Sequence, residues 1–232
     1  NDMILIISDL HIPYHHPDSL KFLTAVKKKY KPTRVINIGD EVDKHAMSFH
    51  DSDPDLFSAG HELEKAINHL KPFYKLFPKM DLVDSNHGSM VYRKAKHHGI
   101  PRKCIKSYND ILEAPKGWKW HHDIVLKLPN KTRLYACHGR GSNILKVSQE
   151  LSMCVVQGHY HNSFGIQYWG NDFHLNWGMQ VGCSINDKSL AFAYNKTIVK
   201  RPIIGHGIVI NGLPKLLPMT LNKRGRWNGV LP

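Results

Sequence analysis

The chain has 232 residues, 41% of them hydrophobic and 22% charged, a balance that excludes a disordered or disulfide-stapled protein. Its formal charge is +13, from 32 Lys and Arg against 19 Asp and Glu, so a negatively charged partner such as a phosphate compound or a nucleic acid is expected. No apolar run approaches the roughly 18 residues of a membrane helix, and the length suits one domain over 1–232.

The opening NDMILIISDLH lacks the layered charged and apolar segments of a secretory signal, and Cys104, Cys137, Cys154 and Cys183 form no C-x-x-C pair. Both features lead to the expectation of buried, reduced thiols in a cytoplasmic protein. Residues 3–8 (MILIIS) read as a strand that stops at Asp9, 17–30 as a helix, and 34–39 (RVINIG) as a second strand that stops at Asp40. An amphipathic helix over 58–77, which Pro72 is expected to kink or restart, leads to a third strand at 80–85 that stops at Asn86-His87. Short helices are expected over 89–98 and 107–113. From Trp118 the rhythm changes to period two. DIVLKL and RLYACH read as strands joined by a turn at 129–131, and 142–152 as a helix. CVVQGH, FGIQYW, DFHLNWGM and GIVING read as further strands. The first half is βαβ in character, the second is β-rich, and residues 165–232 are expected to complete a second sheet.

Five of these runs end in groups that bind metals: SDLH, GDEVD, SNH, ACHG and GHYH. Asp9, His11, Asp40, Asn86, His138, His159 and His161 all sit where an apolar run stops, and the ends of neighbouring strands lie close together in a sheet. His159 and His161 are two residues apart, so they leave a strand end on one side, whereas on a helix they would diverge. Glycines beside several of them permit tight turns and close backbone approach. Carboxylate oxygens mixed with imidazoles suit Mn, Fe, Zn or a similar divalent ion, and the count is enough for two ions. Other chemistries lack their signatures: there is no G-x-x-x-x-G-K-[ST] phosphate loop, H-E-x-x-H helix, G-x-S-x-G elbow or zinc-deaminase pair.

The ordered set D-x-H, G-D-x-x-D, N-H, H-G and G-H-x-H, spanning residues 9 to 161, resembles the calcineurin-like metallophosphoesterases. The stretch GDEVDKHAMSFHDSDPD is similar to a form found among their phage and bacterial members. The resemblance implies an α/β fold, a four-layer α/β/β/α sandwich of two mixed β-sheets flanked by helices, with the metal site on loops at one sheet edge. It implies that Asp9, His11 and His161 bind one ion, that Asn86, His138 and His159 bind the other, and that Asp40 bridges them. Manganese is expected, with Mg, Fe, Zn, Co or Ni as alternatives. The implied reaction is phosphate ester hydrolysis by a metal-bound hydroxide, with His87 giving a hydrogen bond to the phosphoryl group or a proton to the leaving oxygen.

The family commonly reads G-N-H followed by Asp or Glu, where this chain has Ser85-Asn86-His87-Gly88. Another carboxylate, Asp43 or Asp84, is therefore expected to orient His87. Arg93 and Arg140 either hold substrate phosphate or are plain surface. Tyr160, Tyr168 and Trp169 either stack on a base or pack their strands. His206 falls outside the pattern and reads as a turn or surface residue. A nucleotide-type phosphomonoester is the first expected substrate. The alternative is a phosphodiesterase or nuclease acting on DNA or RNA, and the third reading is a non-catalytic metal-bound scaffold. No membrane partner is expected, and the location is the host cytoplasm if the chain is phage-encoded.

Overall fold

The run MILII is apolar at every position because both of its faces are covered. It forms β1 (Met3–Ile7) inside a six-stranded sheet. A computed structural model of the chain describes residues 2–48, 53–189, 191 and 201–232. Successive strand residues face opposite sides. Leu5 and Ile7 point toward α1 (Ser19–Tyr30) and α2 (Ala59–Leu76), where they meet Phe22, Val26, Ala66 and Leu70, while Ile4 and Ile6 point the other way into a second core.

The first sheet runs in the order β11 (Leu213–Pro218), β10 (Gly205–Ile210), β1, β2 (Arg34–Asn37), β3 (Met80–Val83), β4 (Trp118–His121). β1 to β4 are parallel, and β10 and β11 run antiparallel to their neighbours. The second sheet runs β5 (Ile124–Lys127), β6 (Arg133–Cys137), β7 (Cys154–Gln157), β9 (Leu175–Gln180), β8 (Gly165–Gly170). Its three central strands are parallel and its edge strands antiparallel. The sheets meet face to face, with Ile4, Ile6, Ile36 and Val83 packed among Leu134, Ala136, Val156, Trp177 and Met179. On the outer side of the second sheet, Ile144 and Val147 of α5 (Ile144–Leu151) cover Tyr135 and Val155. The layers are therefore helix, sheet, sheet, helix. Two mixed sheets flanked by helices are the expected architecture.

Several expectations change. α2 is not restarted at Pro72: it runs as one helix through the proline, which lies on the exposed face, while Ala66, Leu70 and Phe73 grip the core. Residues 165–232 do not all enter the second sheet. β8 and β9 do, but β10 and β11 join the first, where β10 pairs with β1 (Met3 with Ile210, Ile6 with Gly207) and covers what would be an apolar edge. All four cysteines are free thiols, yet Cys104 is exposed. No helix among the described residues is long and apolar enough to cross a membrane.

His206, on β10, is buried rather than at a turn or surface. Its Nδ1 accepts the Ser8 amide at 3.4 Å, and its Nε2 faces Ser184 Oγ at 2.9 Å. Burial pushes its pKa down to about 4, and burial together with the neighbouring His69 does the same for His15. The unfolded value is about 6.5, so the stability tied to these neutral imidazoles is complete above about pH 6.5 and is lost as pH falls toward 4. Denaturant titrations should show that acid limb, on the order of 1–3 kcal/mol per histidine. His206→Gln should flatten it, and an unaltered limb would contradict the assignment.

Candidate metal centre

The loops leaving β1 and β2 run side by side and are joined by backbone hydrogen bonds. Asp9 N–H donates to Gly39 O at 3.0 Å, His11 N–H to Asp40 O at 2.9 Å, and Asp43 N–H to Ile12 O at 3.0 Å. This register brings Asp9, His11, Asp40 and Asp43 together. β3 delivers Asn86 and His87, β6 delivers His138, and β7 delivers His159 and His161, so five strand ends from both sheets converge.

Two donor sets result. In one, His161 Nε2 lies 3.0 Å from Asp9 Oδ1 and 3.2 Å from His11 Nε2. In the other, His138 Nε2 lies 2.7 Å from Asn86 Oδ1, 3.1 Å from His159 Nδ1 and 3.2 Å from Asp40 Oδ2. Asp40 Oδ2 is also 3.7 Å from His11 Nε2, which joins the sets. Three overlapping groups, Asp9-His11-His161, His11-Asp40-His87 and Asp40-His138-His159, each present ligand atoms within 4.8 Å of one another. Donors at about 2.1 Å from a shared ion sit about 3 Å apart, so these spacings fit divalent metal. All seven ligand residues expected from the sequence lie in this cluster.

The backbone is bent to make it. Asp9, His11, Asp40 and His159 all have φ between 50° and 66°. That left-handed region costs a non-glycine residue about 1–2 kcal/mol, though Asp and His tolerate it better than most. Strain of this kind collects at functional sites, and here it falls on four of the candidate ligand positions. Two glycines are required here. A Cβ at Gly158 would collide with Ser8 Oγ and Asp9 Oδ2, and Gly39, at φ 106°, leaves room for Ser85 and His138.

Charge and tautomer are set by second contacts. His11 Nδ1 meets Asp43 Oδ1 at 2.5 Å and His138 Nδ1 donates to Ile38 O at 3.0 Å, so each ring turns its Nε2 toward the cluster. Burial opposes ionisation of Asp9 and Asp40, but hydrogen bonds from His11 and His161 to Asp9, and the charge of His138 and His87 beside Asp40, hold both carboxyls well below their usual range. Burial likewise disfavours charge on His11 and His138. Asp43 and Asp9 outweigh it for His11, whose pKa is held well above the usual, and Asp40 outweighs it for His138, pushed up to about 9. Cations bound here would displace those protons.

His87 corrects one expectation. Its Nδ1–H donates to the main-chain carbonyl of Asp43, while the Asp43 carboxylate goes to His11 and Asp84 is exposed. A carbonyl orients His87, and Asp43 instead supports a ligand. The geometry follows from the left-handed turn at Lys44 (φ 57°), which faces the Asp43 carbonyl toward β3. His87 Nε2 then lies 4.0 Å from Asp40 Oδ2.

Residues the sequence reading passed over hold this arrangement. Ser85 Oγ accepts from Asp40 N–H and Gly88 N–H, both at 3.0 Å, which a glycine in its place could not do. The buried Lys44 Nζ donates to His87 O at 2.8 Å and Gly88 O at 3.1 Å. Ser85 was visible as the departure from G-N-H, and Lys44 as the residue after G-D-x-x-D.

Of the arginines, Arg93 is exposed on α3 (Met90–His97), and Arg140 is exposed with its guanidinium donating to Tyr135 OH at 2.8 Å. Tyr160 lies edge-on to His159, with centroids 5.0 Å apart; Trp169 donates to Ser148 Oγ on α5, and Tyr168 is exposed. Asp43→Ala should weaken metal binding 10- to 100-fold in a chelator-competition titration. Full metal affinity with reduced turnover would instead give Asp43 a role toward His87.

No family model matches the chain, and no curated protein matches it. Solved structures do. An archaeal phosphodiesterase aligns at 14% identity over 99% of this chain and 99% of that one, with a TM-score of 0.45. Vps29 from Entamoeba histolytica aligns at 12% identity over 96% and 94%, with a TM-score of 0.48. The phosphoesterase YfcE from E. coli aligns at 12% identity over 98% and 97%, with a TM-score of 0.44. The chain is similar to these at the level of overall architecture, and its site is read from its own residues.

Proposed function

We propose that the chain is a phosphoesterase of the calcineurin-like kind that holds two divalent ions, Mn first among them, and hydrolyses phosphate esters of nucleotide type, a phosphomonoester foremost. The observation that supports this reading is the pair of donor sets joined through Asp40. Bound divalent ions lower the pKa of a coordinated water toward neutrality and neutralise charge on phosphoryl oxygens.

The chain's own groups do the rest. Asp40 is buried, and its Oδ1 accepts the His87 amide at 3.2 Å, which leaves Oδ2 to face both donor sets. Asp43 and Ile38 fix the rings of His11 and His138 with Nε2 turned inward. His87 is tethered through Nδ1, so Nε2 is the atom that can exchange a proton or hydrogen bond with a phosphoryl or leaving oxygen. A scaffold that only held metal would need no such additional group.

His87→Ala should lower kcat on a deoxynucleoside 5′-monophosphate about a hundredfold or more, with metal content by mass spectrometry unchanged. Loss of metal would make His87 a ligand, consistent with its place in the His11-Asp40 group. No turnover by the Mn-loaded native chain on phosphomonoesters or diesters would leave the scaffold reading.

A further inference from the structure

The chain has no Asp or Glu from Ser85 to Asn109, and between His87 and Ser107 it carries six Lys and Arg. This basic run leads directly out of the metal centre. Ser89 N–H donates to Ser85 O, Arg93 N–H donates to Ser89 O, and α3 begins at Met90, three residues after His87. Eight helical residues extend about 12 Å. The chain then reverses at Gly99 (φ 73°), and a 3-10 turn at Arg102–Cys104 packs back on α3. Arg93, Lys96, Arg102, Lys103 and Lys106 are all exposed along this arm.

A solvated basic face is the ordinary fate of such a run. Two features separate this one. It starts at the centre, and it presents an aromatic surface: Tyr92 is 39% exposed, with the Arg102 guanidinium 5.3 Å from its ring centroid. A guanidinium held over a partly exposed ring is a platform on which a nucleic-acid base can stack. A free mononucleotide whose one phosphate lies at the centre has no further charge to offer the cations of the arm, whereas a strand does.

We propose that residues 90–106 form a surface that holds a single-stranded nucleic acid while one of its phosphates lies at the metal centre. Successive phosphates of an extended single strand lie about twice as far apart as the roughly 3.4 Å rise per nucleotide of a duplex, so an arm of about 12 Å spans two or three of them. The inference uses the phosphoesterase reading only for the phosphate at the centre. Affinity of the arm for a strand is independent of it, and of whether the ester cleaved is terminal or internal.

The test uses the full chain, a fluorescent single-stranded 12-mer bearing a 5′-phosphate, and a deoxynucleoside monophosphate, each across a KCl series. Oligomer affinity should fall with a log–log slope of about −1.5 to −2. The triple variant Arg102→Ala/Lys103→Ala/Lys106→Ala should bind at least about tenfold more weakly and lose most of that slope. Its hydrolysis of the mononucleotide should be unchanged. The proposal is overturned by a flat salt response, by a triple variant that binds the oligomer as the native chain does, or by polyglutamate competing as well as the oligomer. If the Mn-loaded chain hydrolyses nothing but the arm-dependent slope is present, the phosphoesterase reading fails and the strand surface stands. Mononucleotide hydrolysis with no oligomer binding gives the reverse.

Discussion

Three buried carboxylates surround one imidazole, and the rest of the site answers to that fact. Asp9, Asp40 and Asp43 are each no more than 2% exposed, and all three lie within 4 Å of a His11 ring nitrogen. Carboxylates gathered around one buried ring repel one another. Such a cluster persists only with positive charge among its members, from protonated imidazoles or from bound cations. The left-handed ligand residues, the glycines that let loops touch and the Ser85 hydroxyl that joins two of them all serve to hold that charge in place.

The fold explains how so many ligands meet. Parallel strands send their following loops to one end, and two such sheets packed face to face double the number of loops there. Neither sheet could supply the centre alone, because Asp40 and His138 come from different sheets yet lie 3.2 Å apart. The apolar contact between the sheets, from Ile6 and Ile36 to Val156 and Met179, therefore fixes the distance between the two donor sets. α3 and the basic arm leave from the same strand end that carries Asn86 and His87.

Much of this was legible in the sequence because strand ends and ligand types are both local properties. An apolar run that stops at Asp, Asn or His names the end of a strand and a donor at once, and seven such donors were readable before any geometry. The partners of those donors were not. Asp43 looked like the orienter of His87, but whether its carboxylate or its carbonyl does the work depends on the turn at Lys44. The burial of His206 depends on β10 crossing back to β1 over about 200 residues of chain, a pairing that no local pattern encodes. Pro72 suggested a kink or a restart; the helix is not restarted, because the buried face of α2 grips the core on both sides of the proline.

The most direct test of the account is anomalous diffraction at the manganese edge from crystals of the Mn-loaded protein. Two peaks are expected, one among Asp9, His11 and His161 and one among Asn86, His138 and His159, with the Asp40 carboxylate touching both. A single peak, or a second ion that does not touch Asp40, would contradict the dinuclear centre on which the proposed chemistry rests.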